Sequence, residues 1–82
     1  MNSEEKIKFA KALYSDLGLT DAEYAIERDD EIDADYVWVP NMRGPGGLII
    51  GDDGTFLFCQ SAHAFSYWKE KYQRGERDHR ES

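Results

Sequence analysis

The segment 47–59 contains two short apolar runs joined by a turn at Gly54, and it constrains the fold more than any other part of the chain. Successive side chains of a β-strand point to opposite faces, so a strand with one solvent-exposed face alternates apolar and polar residues. The first run instead places Leu48 and Ile50 on one face and Ile49 on the other. The second run is also apolar on both faces, through Phe56, Leu57, Phe58 and Cys59. This hairpin therefore needs cover on both sides, from the rest of the chain or from a second molecule.

The first 18 residues predict an amphipathic helix. Ser3, followed by Glu4 and Glu5, is typical of a helix start with acidic residues in its first turn. Apolar residues then recur at helical spacing, at Ile7, Ala10, Leu13, Tyr14 and Leu17. Gly18 is expected to end this helix in a left-handed turn.

Residues 20–28 admit two interpretations. Residues 20–23 have the form of a capping box, and Leu19 and Tyr24 are placed to form a hydrophobic staple across it, which favours a short second helix ending near Arg28. Tyr24, Ile26 and Arg28 also alternate as in an edge strand that would pair with residues 35–39. We prefer the helix because its two capping signals agree with each other.

The remaining chain predicts three strands and one helix. Strands are expected over 35–39, 47–51 and 55–59, and Ser61 would cap a helix that ends at Gly75. The apolar stripe of this helix consists of Ala62, Phe65, Trp68 and Tyr72. The expected fold is α+β: an N-terminal helix, a short second helix or edge strand, a three-stranded antiparallel meander and a C-terminal helix. Residues 1–75 would form one domain, and residues 76–82 a charged, disordered tail.

Charge limits the classes of partner. The 82 residues carry a net charge of −7, and residues 1–60 hold 13 of the 17 acidic side chains. Such a field repels nucleic acid and anionic lipid and attracts basic protein surfaces, although acidity also serves solubility alone. A single cysteine and the lack of a signal-like N-terminal region or a membrane-length apolar run predict a soluble cytoplasmic protein.

Candidate catalytic and metal-binding residues are sparse. Cys59 and His63 could form a nucleophile and base, but no third residue orients the imidazole, and a lone cysteine is more often a small buried hydrophobe. Asp52 and Asp53 suit a tight turn better than acid–base catalysis. The acidic run lacks the glycine and the glutamate of a calcium loop. We therefore predict no catalytic residue, metal or cofactor.

The acidic run and the tyrosines predict a protein-binding surface. Eleven aromatic residues exceed what the expected core uses, and tyrosine and arginine are typical of interface hot spots. Tyr24, Tyr36, Tyr67 and Tyr72 are expected near the surface. The predicted partner-binding residues are Asp29, Asp30, Glu31, Asp33, Asp35, Tyr24, Tyr36, Tyr67, and Met42 and Arg43 at the tip of a glycine-rich loop.

The leading functional hypothesis is a small, non-enzymatic interaction module that binds and regulates or inhibits a basic macromolecular partner. Immunity proteins, antitoxins and phage inhibitors that occupy a nucleic-acid groove share this size and charge. A homodimeric structural or adaptor protein, paired through an uncovered apolar face of the sheet, is the second hypothesis. A small enzyme that uses Cys59 and His63 is the third.

Overall fold

The chain folds as two helices and one antiparallel sheet. The computed structural model describes residues 2–15, 18, 23–40, 46–59 and 63–78. Its elements are α1 (Ser3–Leu13), β1 (Ala25–Asp29), β2 (Ala34–Trp38), β3 (Gly47–Gly51), β4 (Phe56–Cys59) and α2 (Phe65–Gln73). The four strands form one sheet in the order β1-β2-β3-β4. The predicted α+β class is confirmed.

Helix α1 begins and ends earlier than predicted. Its N-cap is Asn2, not Ser3: the Asn2 side chain accepts a hydrogen bond from the Glu5 amide at 2.8 Å, and the Glu5 carboxylate accepts one from the Asn2 amide at 3.1 Å. This reciprocal capping box satisfies two amides that have no partner within the helix. The helix ends at Leu13, and Gly18 has the expected left-handed conformation at φ 73°.

Residues 25–29 form an edge strand, so the preferred second helix is wrong for this segment. β1 pairs antiparallel with β2, from Ala25 opposite Trp38 to Asp29 opposite Ala34. The pairing satisfies the strand backbone and packs Ile26 against the core beneath α1. These tertiary gains exceed the local helical preference, as often happens for short segments. Residues 19–22, which carried most of the capping signal, lie outside the described residues.

The sheet is covered on both faces by the chain itself. Helix α1 packs on one face, where Ala10 meets a cluster that contains Val37, Leu48, Ile50 and Phe56. Helix α2 packs on the other face, where Tyr72 joins a second cluster of Ala34, Ile49, Leu57 and Cys59. The opposite placement of Leu48 and Ile49 is as the sequence predicts, and both side chains are fully buried. The two helices therefore supply the cover that the hairpin needs on both of its apolar faces.

Aromatic side chains lie directly over two glycines of β3 on the α2 face. A Cβ atom at Gly47 would collide with the ring of Tyr36, and one at Gly51 would collide with the hydroxyl of Tyr72. Tyr72 is therefore buried, at 5% exposure, and the prediction that it lies near the surface is wrong. These glycines let the two tyrosine side chains approach the β3 backbone closely.

The segment after α2 packs against the sheet. Arg77 places its guanidinium 3.4 Å from the centre of the Tyr72 ring, and its Nε donates to the Thr55 hydroxyl at 3.0 Å. Asp78 forms a bridge to Phe56 of β4. Residues 76–78 thus pack against the folded body, through the contact of Arg77 with the buried Tyr72 ring and the bridge of Asp78 to β4, although the sequence predicts a tail from residue 76 onward. Residues 79–82 lie outside the described residues, as does Ser61, the predicted cap of α2.

Neither helix of the described chain has the length and apolar character needed to cross a membrane.

Candidate functional site

Two turns meet at one end of the sheet and bring distant acidic residues together. The β1–β2 turn spans residues 30–33, and the β3–β4 turn spans residues 52–54. The Asp52 amide donates to the Asp33 carbonyl at 3.0 Å, which fixes the turns side by side. We call this surface, formed by residues 29–33 and 52–53, the acidic end.

Three carboxylates of the β1–β2 turn project into solvent. The side-chain exposures are 90% for Asp30, 75% for Glu31 and 85% for Asp33. Asp33 has a φ of 49°, in the left-handed region that aspartate tolerates better than most residues. The structure thus brings three of the predicted partner-binding residues together on an exposed surface.

Asp35 does not belong to that surface. Its side chain is 7% exposed and accepts a hydrogen bond from Lys6 Nζ at 2.6 Å. Strand alternation places Asp35 on the α1 face, opposite Ile50 on the neighbouring strand. Its charge is balanced inside the protein by Lys6, so it lacks the exposure that we expected of a partner-binding residue.

Lys6 is the residue that sequence reasoning missed. Its side chain is 1% exposed, and its ammonium also donates to Asp52 Oδ1 at 2.6 Å. Burial lowers the pKa of Lys6, but the hydrogen bonds that its ammonium donates to Asp35 and Asp52, together with the negative charges of these carboxylates, outweigh burial and raise it. A signal existed, because Lys6, Ala10 and Tyr14 recur every four residues and therefore share one helix face.

Arg28 completes this polar network. It binds Asp52 through two hydrogen bonds, of 2.6 Å from Nη1 and 2.9 Å from Nη2, and it binds Asp30 at 3.0 Å from Nε. The hydrogen bonds from Arg28 and Lys6 hold the pKa of Asp52 well below its usual range. Paired carboxylate–guanidinium geometry of this kind is the strongest that exposed ions form. The network ties α1, β1, β2 and the β3–β4 turn to one another.

Charge at the acidic end is only partly balanced. Lys69 of α2 binds Asp29 at 2.8 Å and Glu31 at 3.1 Å, and Lys6 and Arg28 supply the other cations. The carboxylates of the acidic end outnumber these three cations together with Arg77, whose charge acts on Asp53. They are Asp29, Asp30, Glu31, Asp33, Asp52 and Asp53. Asp30, Glu31 and Asp33 are the most exposed members of this group, although Arg28 and Lys69 lie close to them.

The predicted tyrosines lie apart from one another. Tyr24 stacks at 6.4 Å on Tyr14, near the C-terminal end of α1, and is partly buried. Tyr36 is half-buried beneath α2 and packs edge-on against Phe65 at 4.8 Å. Tyr67 is 40% exposed on α2. Of the three, Tyr36 lies nearest to the acidic end, because it lines a groove together with Asp29. Met42 and Arg43 lie outside the described residues.

The Cys59 thiol is poorly placed for nucleophilic chemistry. Its exposure is 2%, its S–H donates to the Leu57 carbonyl at 3.7 Å, and burial raises the pKa of the thiol to about 12. His63 stacks on the Tyr67 ring with a centroid distance of 4.1 Å. The thiolate that catalysis requires is thus disfavoured by burial.

In the described part of the chain, no group of three or more histidine, cysteine, aspartate or glutamate side chains is arranged to hold a metal ion.

No protein-family model, curated protein or solved structure matches the chain.

Proposed function

We propose that this protein is a non-enzymatic interaction module whose acidic end binds a basic surface on a macromolecular partner and thereby regulates or inhibits it. One observation carries the proposal: two turns joined by the Asp52–Asp33 hydrogen bond hold carboxylates that outnumber the nearby cations, and three of these carboxylates are largely exposed. A concentrated negative field speeds the encounter with a basic surface and selects against acidic ones.

Local hydrogen bonds hold these carboxylate-bearing turns in place before binding. The Asp29 side chain accepts from the Glu31 amide at 3.0 Å, and the Asp53 side chain accepts from the Thr55 amide at 3.0 Å. Turns fixed in this way lose less conformational freedom when they bind, so more of the interaction energy appears as affinity.

The proposed mode of action is occlusion. A basic surface that serves to bind nucleic acid would be neutralised and sterically blocked by an acidic domain of this size, as immunity proteins, antitoxins and phage inhibitors are expected to act. The proposal places the protein in the cytoplasm, because a chain with a single cysteine forms no intramolecular disulfide of the kind that stabilises small secreted domains.

The other two hypotheses have less support. Val37, Leu48, Ile49 and Ile50 of the central strands are fully buried within the chain, so a homodimer through an uncovered apolar face lacks the exposed surface that it needs. The buried Cys59 thiol likewise gives little support to a Cys/His enzyme. Both stay untested as predictions.

A charge-neutralisation experiment tests the proposal. Binding of a fluorescein-labelled hexa-arginine peptide is measured by fluorescence anisotropy for the wild type and for the double variant Asp30→Asn/Asp33→Asn. Exposed ion pairs contribute about 0.2–1 kcal/mol each, so loss of two should raise the Kd by about two- to thirtyfold, and the difference should shrink at high salt.

The matched control is Glu23→Gln/Glu70→Gln. It removes the same net charge from exposed positions, one before β1 and one on α2. The control should retain most of the affinity of the wild type. Equal weakening by both double variants would show that only net charge matters and would overturn the assignment of the surface.

A further inference from the structure

The two edges of the sheet differ in how the chain protects them. At β4, the Asp78 amide donates to the Phe56 carbonyl at 2.8 Å, and the Asp78 carboxylate accepts from the Phe58 amide at 2.7 Å. An extended segment from elsewhere would have to displace Asp78 to pair with this strand. Exposed strand edges are sites where other chains add, so this edge is blocked.

The opposite edge, β1, directs backbone groups outward. Alternate residues of an antiparallel strand hydrogen bond to opposite neighbours. The Gly51 amide donates to the Thr55 carbonyl of the same hairpin at 2.8 Å, which makes alternate residues of β3 face β4 and the others face β2. The registers of β3 with β2 and of β2 with β1 extend this alternation to the edge strand. In β1, the amides and carbonyls of Ile26 and Arg28 therefore point away from the sheet. Among the described residues, no strand lies beyond β1.

A groove runs beside this edge, between the sheet and α2. Its volume is about 310 Å³, and Tyr36 and Phe65 contribute aromatic walls. Two cations also line it, and both are already paired: Lys69 binds Asp29 and Glu31, and Arg28 binds Asp30 and Asp52. Glu27 is exposed on the same face and forms no ion pair with another described residue. Aromatic rings beside a carboxylate are a suitable environment for a guanidinium or ammonium group.

We propose that β1 receives an extended basic segment of the protein partner as a fifth strand, with alternate basic side chains entering this groove beside Glu27. The inference rests on the proposed function, because it takes from it the basic character of the partner. Strand addition uses main-chain hydrogen bonds for affinity and side-chain pockets for specificity. Alternation along the added strand would place its other side chains beside Ile26 and Arg28, where small neutral residues fit best.

Two peptides of equal charge separate strand addition from simple attraction. The probes are five Arg-Thr repeats and five Arg-Pro repeats, because proline lacks the amide proton needed to continue a strand ladder. With the Arg-Thr peptide at about ten times its Kd, hydrogen exchange at the amides of Ile26 and Arg28 should slow by about tenfold. With the Arg-Pro peptide, exchange there should stay at the rate of the free protein.

A single substitution tests the groove. Glu27→Gln should weaken binding of the Arg-Thr peptide by about threefold and leave binding of the Arg-Pro peptide unchanged. Glu70→Gln, on the exposed side of α2, is the matched control and should change neither.

Three results overturn the inference, and they differ in their meaning for the proposed function. Equal binding of both peptides at the acidic end, without protection of Ile26 and Arg28, contradicts strand addition and preserves the proposed function. Binding of neither peptide contradicts both. Protection of the two amides by raised protein concentration alone, with dimers in sedimentation, would make a second copy of this chain the occupant.

Discussion

Lys6 shows how one buried charge organises this small protein. Its ammonium lies between Asp35 on β2 and Asp52 in the β3–β4 turn, at 2.6 Å from each. A buried cation costs a large desolvation free energy, which is offset only when its partners are close and correctly oriented. The network therefore fixes the position of α1 on the sheet more than it adds stability.

Lys6→Met should destabilise the protein by about 3–5 kcal/mol, since Asp35 would be left as a buried charge without its ammonium. Urea unfolding followed by circular dichroism measures this loss. Lys8→Met, at an exposed position of the same helix, is the control and should change the free energy of unfolding by less than about 0.5 kcal/mol. The double variant Lys6→Met/Asp35→Asn should recover part of the loss, and a double variant as unstable as the sum of its single changes would contradict this account.

The lowered pKa of Asp52 predicts that the protein loses stability in acid. Because hydrogen bonds from Arg28 and Lys6 lower its pKa in the folded state, its contribution is fully present above the unfolded value of about 3.9 and disappears as the pH falls toward the lower folded value. The free energy of unfolding, measured from pH 6 down to about pH 2, should therefore fall less steeply for Asp52→Asn than for the wild type. Parallel pH profiles for the two proteins would show that protonation of Asp52 does not contribute to the loss of stability in acid.

Cys59 should react slowly with alkylating reagents. Burial raises the pKa of its thiol to about 12, so little thiolate exists at pH 8, and the side chain must also become exposed before it reacts. Modification by iodoacetamide, followed by mass spectrometry, should proceed far more slowly than that of glutathione and reach a similar rate in urea. A native rate as fast as that of the free thiol would revive the enzyme hypothesis.

At the scale of elements, the sequence predicts the features that depend only on the spacing of apolar residues along the chain. The helical stripe of α1 and the two faces of the hairpin follow from periodicity, and their residues occupy the predicted sides. β1 differs because its short sequence fits both periods, and only the hydrogen bonds from β2 decide between them. The outward groups of Ile26 and Arg28 could not be predicted while that choice was open.

A side chain added at either glycine of β3 is expected to destabilise the protein. Gly47→Ala would force a methyl group into the Tyr36 ring, and Gly51→Ala would force one into the Tyr72 hydroxyl, so each should cost about 1–3 kcal/mol. Thermal and urea unfolding measure the loss. In a Tyr36→Ala background the cost of Gly47→Ala should shrink, and an unchanged cost would point to backbone effects instead of the ring contact.

At the scale of the whole molecule, the sheet order creates the charge distribution. Asp33 and Asp52 are far apart in the chain, and they meet because β1 to β4 lie side by side in sequence order. The sequence predicts an acidic protein and an acidic run, but it assigns Asp35 to the surface because burial of a lysine partner depends on tertiary packing. Asp30, Glu31 and Asp33 are exposed as the proposal needs.

The most direct test of the acidic end is a chemical-shift map. Unlabelled hexa-arginine is titrated into ¹⁵N-labelled protein at low ionic strength, and the amide shifts are followed by two-dimensional NMR. This account predicts perturbations concentrated at residues 29–33 and 51–54, and their loss in Asp30→Asn/Asp33→Asn. Perturbations spread evenly over the molecule, or centred on the exposed side of α2, would contradict it.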